Sequence, residues 1–125
     1  MFDDELVVTI IDQMLVAAHR IKRRFAAITV PDDFTSSDDG IDKLDAIVMA
    51  IIMIGEGLKN LEKNVGGTFL QHYPEVDWKG VKGARDVLSH HYFDINAEII
   101  FSICRNHIPL LIDTLERMRS DVCAR

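Results

Sequence analysis

The chain has 125 residues, of which 48% are apolar, and a formal net charge of −6 at neutral pH. This length predicts a single domain over residues 1–125, and the apolar content is sufficient for a packed core and too high for a disordered chain. Seven glycines and three prolines are too few for the many turns of a β-sandwich or a β-barrel.

Three features predict the compartment. The longest apolar run, residues 46–54, is far shorter than the roughly 20 residues that cross a bilayer, which argues against a membrane protein. Two cysteines cannot form a disulfide framework, and residues 3–5 are acidic where a secretory signal would be basic. We therefore expect a cytoplasmic protein.

The first third of the chain has helical periodicity. Apolar residues recur there every seven positions: Val7, Met14, Ile21 and Ile28. This spacing predicts an amphipathic helix over residues 4–29, which Pro31 would end.

A second helix is predicted after the turn-forming residues 31–40, with Ser37, Asp38 or Asp39 as its N-cap. Its first half is apolar nearly all round, which is typical of a helix at the centre of a bundle or in a subunit interface. Gly66 and Gly67 are expected to close it.

Two further helical segments complete the prediction. Asp77 is a candidate N-cap for a helix over residues 78–90, and Asp94 or Asn96 for a last segment that Pro109 should kink or split. The apolar face of that last segment is expected to contain Ile99, Ile103, Leu111, Leu115, Met118 and Val122. The predicted fold is all-α, an antiparallel up-and-down bundle of four or five helices.

The densest polar cluster, residues 85–94, lies at the end of the third helix. A structural interpretation is available, because histidines near a helix C-terminus complement the dipole and Arg85 can pair with a carboxylate. At about 100° per residue, Arg85 and Tyr92 share a helix face, whereas His90 lies about 140° from Arg85. A joint site would therefore require the helix to end there or a second subunit to close over it.

The pattern Arg85-x4-His90-x-Tyr92 resembles the Arg-x4-His-x-Tyr signature of HepT-type toxins, a branch of the HEPN superfamily of helical ribonucleases. Further elements occur in the order of that family, so that the resemblance covers roughly residues 4–118. They are Ile54-Gly55-Glu56, Tyr73-Pro74-Glu75 with Trp78, Tyr92-Phe93-Asp94-Ile95, and Ile108-Pro109-x-Leu111.

The resemblance implies a metal-independent endoribonuclease, the toxin of a two-gene toxin–antitoxin system, with Arg85 and His90 as catalytic residues. Cleavage through the 2′-hydroxyl of RNA needs a base, an acid and positive charge on the phosphorane, which imidazole and guanidinium groups supply. Asp86 is expected to orient Arg85 or His90, and Glu56 to neutralise or position Arg85.

The resemblance also implies partners. A nucleotidyltransferase-fold antitoxin would transfer AMP to Tyr92, and the added phosphate would repel RNA from the site. One protomer carries only one Arg85/His90 pair, so we expect a two-fold homodimer with a shared cleft. The chain itself is expected to need no cofactor.

Alternatives remain open from the sequence. The chain could be a non-catalytic module that docks on a nucleotidyltransferase-fold protein through residues 46–54, or a dimeric bundle without activity. His91 departs from the family pattern and could face solvent or assist catalysis. The Cys104-x2-His107 spacing alone predicts no metal site. The basic run at residues 20–24 could contact RNA or an acidic partner, or be a solvated helix end.

Overall fold

The computed structural model describes residues 3–125, with the exception of the side chain of Tyr92. Within this range all regular structure is helical, in agreement with the predicted fold class. The α-helices are α1 (Asp4–Phe25), α2 (Asp38–Asn64), α3 (Trp78–His90), α4 (Ala97–Ser102) and α5 (Ile108–Cys123). None of the helices described combines the length and the apolar character that a membrane span requires.

Helix α1 packs against α2 and α5, and α2 also packs against α3. Ion pairs show that α1 and α5 are antiparallel. Asp4, at the start of α1, pairs with Arg125, which follows α5, and Asp12, further along α1, pairs with Arg119. A continuous apolar core fills the space between the helices.

The predicted N-caps are confirmed. The side chain of Ser37 accepts a hydrogen bond from the backbone N–H of Gly40 at 3.0 Å, and Asp77 does the same for Gly80 at 3.0 Å. Asn96, rather than Asp94, caps α4. Each cap satisfies amide groups that have no partner within the helix, which fixes where the helix begins.

The predicted end of the first helix is wrong by four residues, because α1 ends at Phe25 and not at residue 29. The carboxylate of Asp33 accepts hydrogen bonds from the backbone N–H of Thr29 at 2.8 Å and of Val30 at 3.2 Å. These bonds, which also lower the pKa of Asp33, hold residues 29–33 in a turn. The apolar heptad pattern does not encode this competing local contact.

The predicted interruption before Pro109 is confirmed, and it is a π-helical turn over Ile103–His107. A π turn holds more residues than an α turn and therefore rotates the helix on either side. The assignment of Ile99 to the apolar face is wrong: Ile99 is 58% exposed, whereas Ile100 and Cys104 are buried. The prediction assumed a constant helical phase that the π turn interrupts.

The segment before α3 is attached to α5 by a buried tyrosine. The hydroxyl of Tyr73 donates a hydrogen bond to Asp121 at 2.7 Å, and its backbone carbonyl accepts one from the indole of Trp78 at 3.0 Å. Burial and the carboxylate of Asp121 raise the pKa of Tyr73 to about 12. The contact therefore fixes the start of α3 relative to the rest of the bundle.

We expect the Tyr73 contact to make stability fall with rising pH in the alkaline range. The folded-state pKa is about 12, above the unfolded value of about 10. The contribution of Tyr73 is thus complete below about pH 10 and is lost as the pH rises towards the folded pKa. Tyr73→Phe should lower the free energy of unfolding at neutral pH by about 1 kcal/mol and reduce its alkaline slope. Urea unfolding of both proteins across this range measures the difference, and equal slopes would contradict the assignment.

Candidate active site

Arg85 of α3 lies where α3 crosses α2, directly over Gly55. A Cβ atom built on Gly55 would stand 2.2 Å from the Cβ and 2.6 Å from the Cγ of Arg85, closer than any packed side chain can approach. The two helices can approach this closely because residue 55 has no side chain. Farther along the same crossing, Lys82 and Glu62 form an ion pair at 3.2 Å.

The guanidinium of Arg85 is held by two carboxylates. Asp86 accepts a hydrogen bond from Nη1 at 2.9 Å, and Glu56 of α2 accepts hydrogen bonds from Nε and makes an ion pair with Nη2. The hydrogen bond with Asp86, followed by the one with Glu56, raises the pKa of Arg85 above its ordinary, already high value. The three side chains together carry a formal charge of −1.

The contact predicted between Glu56 and Arg85 is therefore present, and Asp86 contacts Arg85. The arginine side chain is 22% exposed, against 51% for Glu56 and 62% for Asp86. Two of the five guanidinium N–H donors remain available for a ligand. The catalytic roles assigned to these residues stay predictions.

His90 is the last residue of α3 and is exposed. Five residues after Arg85, it points about 140° away around the helix, and among the described residues nothing forms a hydrogen bond or ion pair with its imidazole. His91 is also exposed, and its backbone N–H donates to the carbonyl of Val87 at 2.9 Å, where the helix ends. One protomer thus leaves Arg85 and His90 without mutual contact.

Tyr92 begins a 3₁₀ turn, Tyr92–Asp94, directly after the end of α3. Its side chain lies outside the described part of the structure, and its predicted modification therefore has no side-chain geometry to compare. The neighbouring His91 and Phe93 are exposed. The backbone of Tyr92 therefore belongs to the same exposed end of α3 as His90.

The remaining candidates from the sequence do not join this cluster. Cys104 is buried, which raises the pKa of its thiol to about 12, while His107 is exposed. Within residues 3–125, no three Asp, Glu, His or Cys side chains come together as a potential metal site. The basic run ends α1, with Arg20 and Arg23 exposed to solvent.

Gly55 is a position of the candidate site that sequence reasoning passed over, although it stood in the Ile54-Gly55-Glu56 element. The signal was a glycine in the middle of a strongly apolar helix, where glycine costs about 1 kcal/mol relative to alanine. Such a residue indicates that another backbone or side chain approaches closely. Which element approaches it, and at which residue, follows only from the folded structure.

The all-helical bundle and the Arg85-x4-His90 end of α3 are features of a HEPN-type domain. Residues 14–118 match the family model described as ribonuclease HepT-like. The chain therefore belongs to the HepT-like ribonuclease family. No solved structure matches the chain.

Similar proteins are found among archaea and bacteria. A candidate RNase of Methanocaldococcus jannaschii is 42% identical over 77 residues, which are 62% of this chain and 60% of that protein. A candidate RNase of Caldanaerobacter subterraneus is 39% identical over 66 residues, which are 53% of this chain and 55% of that protein. A protein of Thermococcus cleftensis, named as a ribonuclease HepT candidate, is 30% identical to this chain. The matched residues are 59% of this chain and 64% of that protein. The chain thus spans less than two thirds of the length of these relatives.

We expect Gly55→Ala to destabilise the α2–α3 crossing by about 1–3 kcal/mol, because the new methyl group overlaps the side chain of Arg85. The matched control is Gly83→Ala on α3, where an added Cβ meets no atom within 4 Å. This control should be neutral or stabilising by up to about 1 kcal/mol. Denaturant unfolding of both variants measures the difference, and equal effects would contradict the close contact.

Proposed function

We propose that the chain is an endoribonuclease that cleaves RNA by attack of the 2′-hydroxyl on the adjacent phosphate, with no metal ion. Membership of the HepT-like ribonuclease family supports the activity. The observation that carries the site is the fixed guanidinium of Arg85 at the α2–α3 crossing, on the same helix as the exposed imidazole of His90.

The reaction divides between the two residue types. A base removes the proton of the 2′-hydroxyl, whose oxygen forms the new bond to phosphorus, and the bond to the 5′-oxygen breaks as an acid donates a proton to it. His90 serves as base or acid, because an imidazole can both accept and donate a proton near neutrality. Arg85 stabilises the charge that develops on the non-bridging oxygens.

Glu56 and Asp86 orient Arg85 but also compensate its charge. The cluster of these three residues has a formal charge of −1, and the whole chain has −6. A phosphate that enters the site therefore depends on directed hydrogen bonds from the remaining N–H groups of Arg85 and not on net positive charge. We propose that a second copy of the chain adds a second set of these donors and a second imidazole, and that a two-fold homodimer forms one cleft with two Arg85/His90 pairs.

Replacing either residue should slow cleavage strongly. We expect His90→Ala to lower the rate by about 10²–10⁴-fold, and Arg85→Gln by about 10²–10³-fold. The assay follows cleavage of RNA by the purified chain in excess chelator, with Val87→Ala, an exposed position on the same helix, as the matched control. Equal rates for wild type and His90→Ala would remove His90 from the mechanism.

We further propose that the chain is the cytoplasmic toxin of a toxin–antitoxin pair and that a nucleotidyltransferase-fold antitoxin inactivates it. In this step the phenolic oxygen of Tyr92 attacks the α-phosphorus of ATP, pyrophosphate leaves, and the phenolic proton passes to a base. The position of Tyr92 two residues after His90 supports a modification that places a phosphate and a nucleoside beside the cleft.

The modification is measurable by mass. Co-expression with a nucleotidyltransferase-fold partner encoded beside the gene should add one AMP to the chain and suppress cleavage. Tyr92→Phe should keep the unmodified mass and remain active in the presence of the partner. Modification of the Phe variant would assign the AMP to another residue.

The alternative function, a non-catalytic module that docks on such a partner, has one observation in its favour. Both carboxylates already neutralise Arg85, as in a purely structural ion-pair cluster. Under this alternative, wild type and Arg85→Gln would be equally harmless when expressed alone, while both still formed the complex with the partner.

A further inference from the structure

The exposed end of α3 is followed by an aromatic ring that the proposed reaction does not use. Phe93 is 89% exposed, more than any other large apolar residue that the structure describes. The other phenylalanines of the described chain are buried or half-buried, and they are Phe25, Phe34, Phe69 and Phe101. A single exposed apolar side chain is common on protein surfaces, so the location of this ring is what indicates a ligand.

The backbone fixes Phe93 close to His90. The turn after α3 is closed by a hydrogen bond from the N–H of Asp94 to the carbonyl of His91 at 3.0 Å. Directly after this turn, Ile95 packs against the core. Phe93 therefore lies on a short turn that is anchored at both ends, and its Cα is within about 11 Å of the Cα of His90.

The same end of α3 offers RNA little positive charge. Residues 86–96 contain no lysine or arginine, and they include the acidic Asp86 and Asp94. The guanidinium of Arg85 is more than compensated by its two carboxylates, and the whole chain has a formal charge of −6. Attraction of phosphates dominates the affinity of most proteins that bind nucleic acids. Because it is weak here, an RNA strand at this site needs an uncharged contact as well.

Stacking of a nucleobase on an aromatic side chain is a contact of this kind. Every base has a π face, so stacking is possible with any sequence. It requires a base that is not stacked within a helix, as in the single-stranded loops, bulges and ends of RNA. The ring of Phe93, three residues after His90, is within reach of the nucleotides that flank a phosphate bound at His90.

We infer that Phe93 binds the substrate: its ring stacks on the unpaired nucleobase beside the scissile phosphate. The inference rests on the proposed function, and it specifies the substrate as RNA that is single-stranded at the cleavage position. Phe93 takes no part in proton transfer. Its contact with the neighbouring base is made equally in the substrate complex and in the transition state, so it contributes to KM and not to kcat.

The first test is the kinetics of Phe93→Ala on a single-stranded RNA oligonucleotide with one mapped cleavage position. We expect KM to rise about 5- to 100-fold, as for the loss of one base–aromatic stack, and kcat to stay within about twofold of wild type. The ratio of the two KM values should be the same at low and high salt, because the ring is uncharged. Phe93→Trp should restore the KM. Leu110→Ala, at an exposed apolar position on α5, is the matched control.

An abasic nucleotide in the RNA tests the stack from the side of the substrate. It is placed in turn on the 5′ and on the 3′ side of the cleavage position. At one of these positions it should raise the KM of the wild type as much as Phe93→Ala does. The abasic RNA and Phe93→Ala together should then have no further effect, because two groups that contact each other are not additive when both are removed.

Binding is measured without cleavage in the His90→Ala background. The fluorescence of Phe93→Trp should be quenched by the single-stranded RNA and not by a perfect duplex of the same sequence. Trp78 is buried and gives a constant background, which His90→Ala without the second substitution records.

Three results would overturn the inference. These are a KM for Phe93→Ala equal to that of the wild type, effects of Phe93→Ala and the abasic RNA that add, and a change in the mass of the protein in solution instead of in KM, which would assign Phe93 to a protein interface. The proposed function fails separately. Quenching by an RNA that is never cleaved refutes the nuclease alone, whereas cleavage with a KM that does not depend on Phe93 refutes the stack alone.

Discussion

The close contact between Gly55 and Arg85 is the constraint on which the candidate site depends. Because residue 55 has no side chain, α3 lies directly on α2, and the arginine side chain runs along the crossing to Glu56. Asp86 then holds the other side of the guanidinium. The position of the charged group is thus set by helix packing and not by a flexible loop, which is how a phosphate-binding group is held in advance of its ligand.

The electrostatics of this arrangement leave the Arg85 cluster of a single copy without net positive charge. A guanidinium with two carboxylates is well fixed, but its charge is more than compensated, and the exposed His90 is about 140° away around α3. The fold of the protomer therefore orients Arg85 without giving the site a net positive charge. In the proposed homodimer, a second Arg85/His90 pair adds further hydrogen-bond donors and a second imidazole to the cleft.

Much of the fold was predictable because it follows from local rules. Polar side chains that cap a helix can be recognised from the sequence alone. Ser37, Asp77 and Asn96 are all N-caps, as predicted. The errors arose where a tertiary contact or a competing local contact determines where a helix ends or which of its faces is buried. Asp33 holds Thr29 and Val30 in a turn beyond α1 through hydrogen bonds that no periodicity reveals. The helical phase shifts at the π turn after α4, and Ile99 faces solvent. For the site, the residue types were evident from the motif. The contact between Gly55 and Arg85 could not be predicted, because it depends on how α2 and α3 pack against each other.

The π turn has a consequence for how this helix tolerates change. It behaves as a single-residue insertion between α4 and α5, so each half keeps its own register towards its neighbours. Phe101 of α4 contacts Phe25 at the tip of the bundle, while Leu115 of α5 is buried against the core. Deletion of one residue within this turn would convert it into a regular α turn, and both halves would keep their packing surfaces towards their neighbours. Deletion of one residue elsewhere in the helix would instead rotate the residues beyond it by about 100° away from their contacts. The π turn is therefore the one place where this helix can lose a residue and retain both of its packing surfaces.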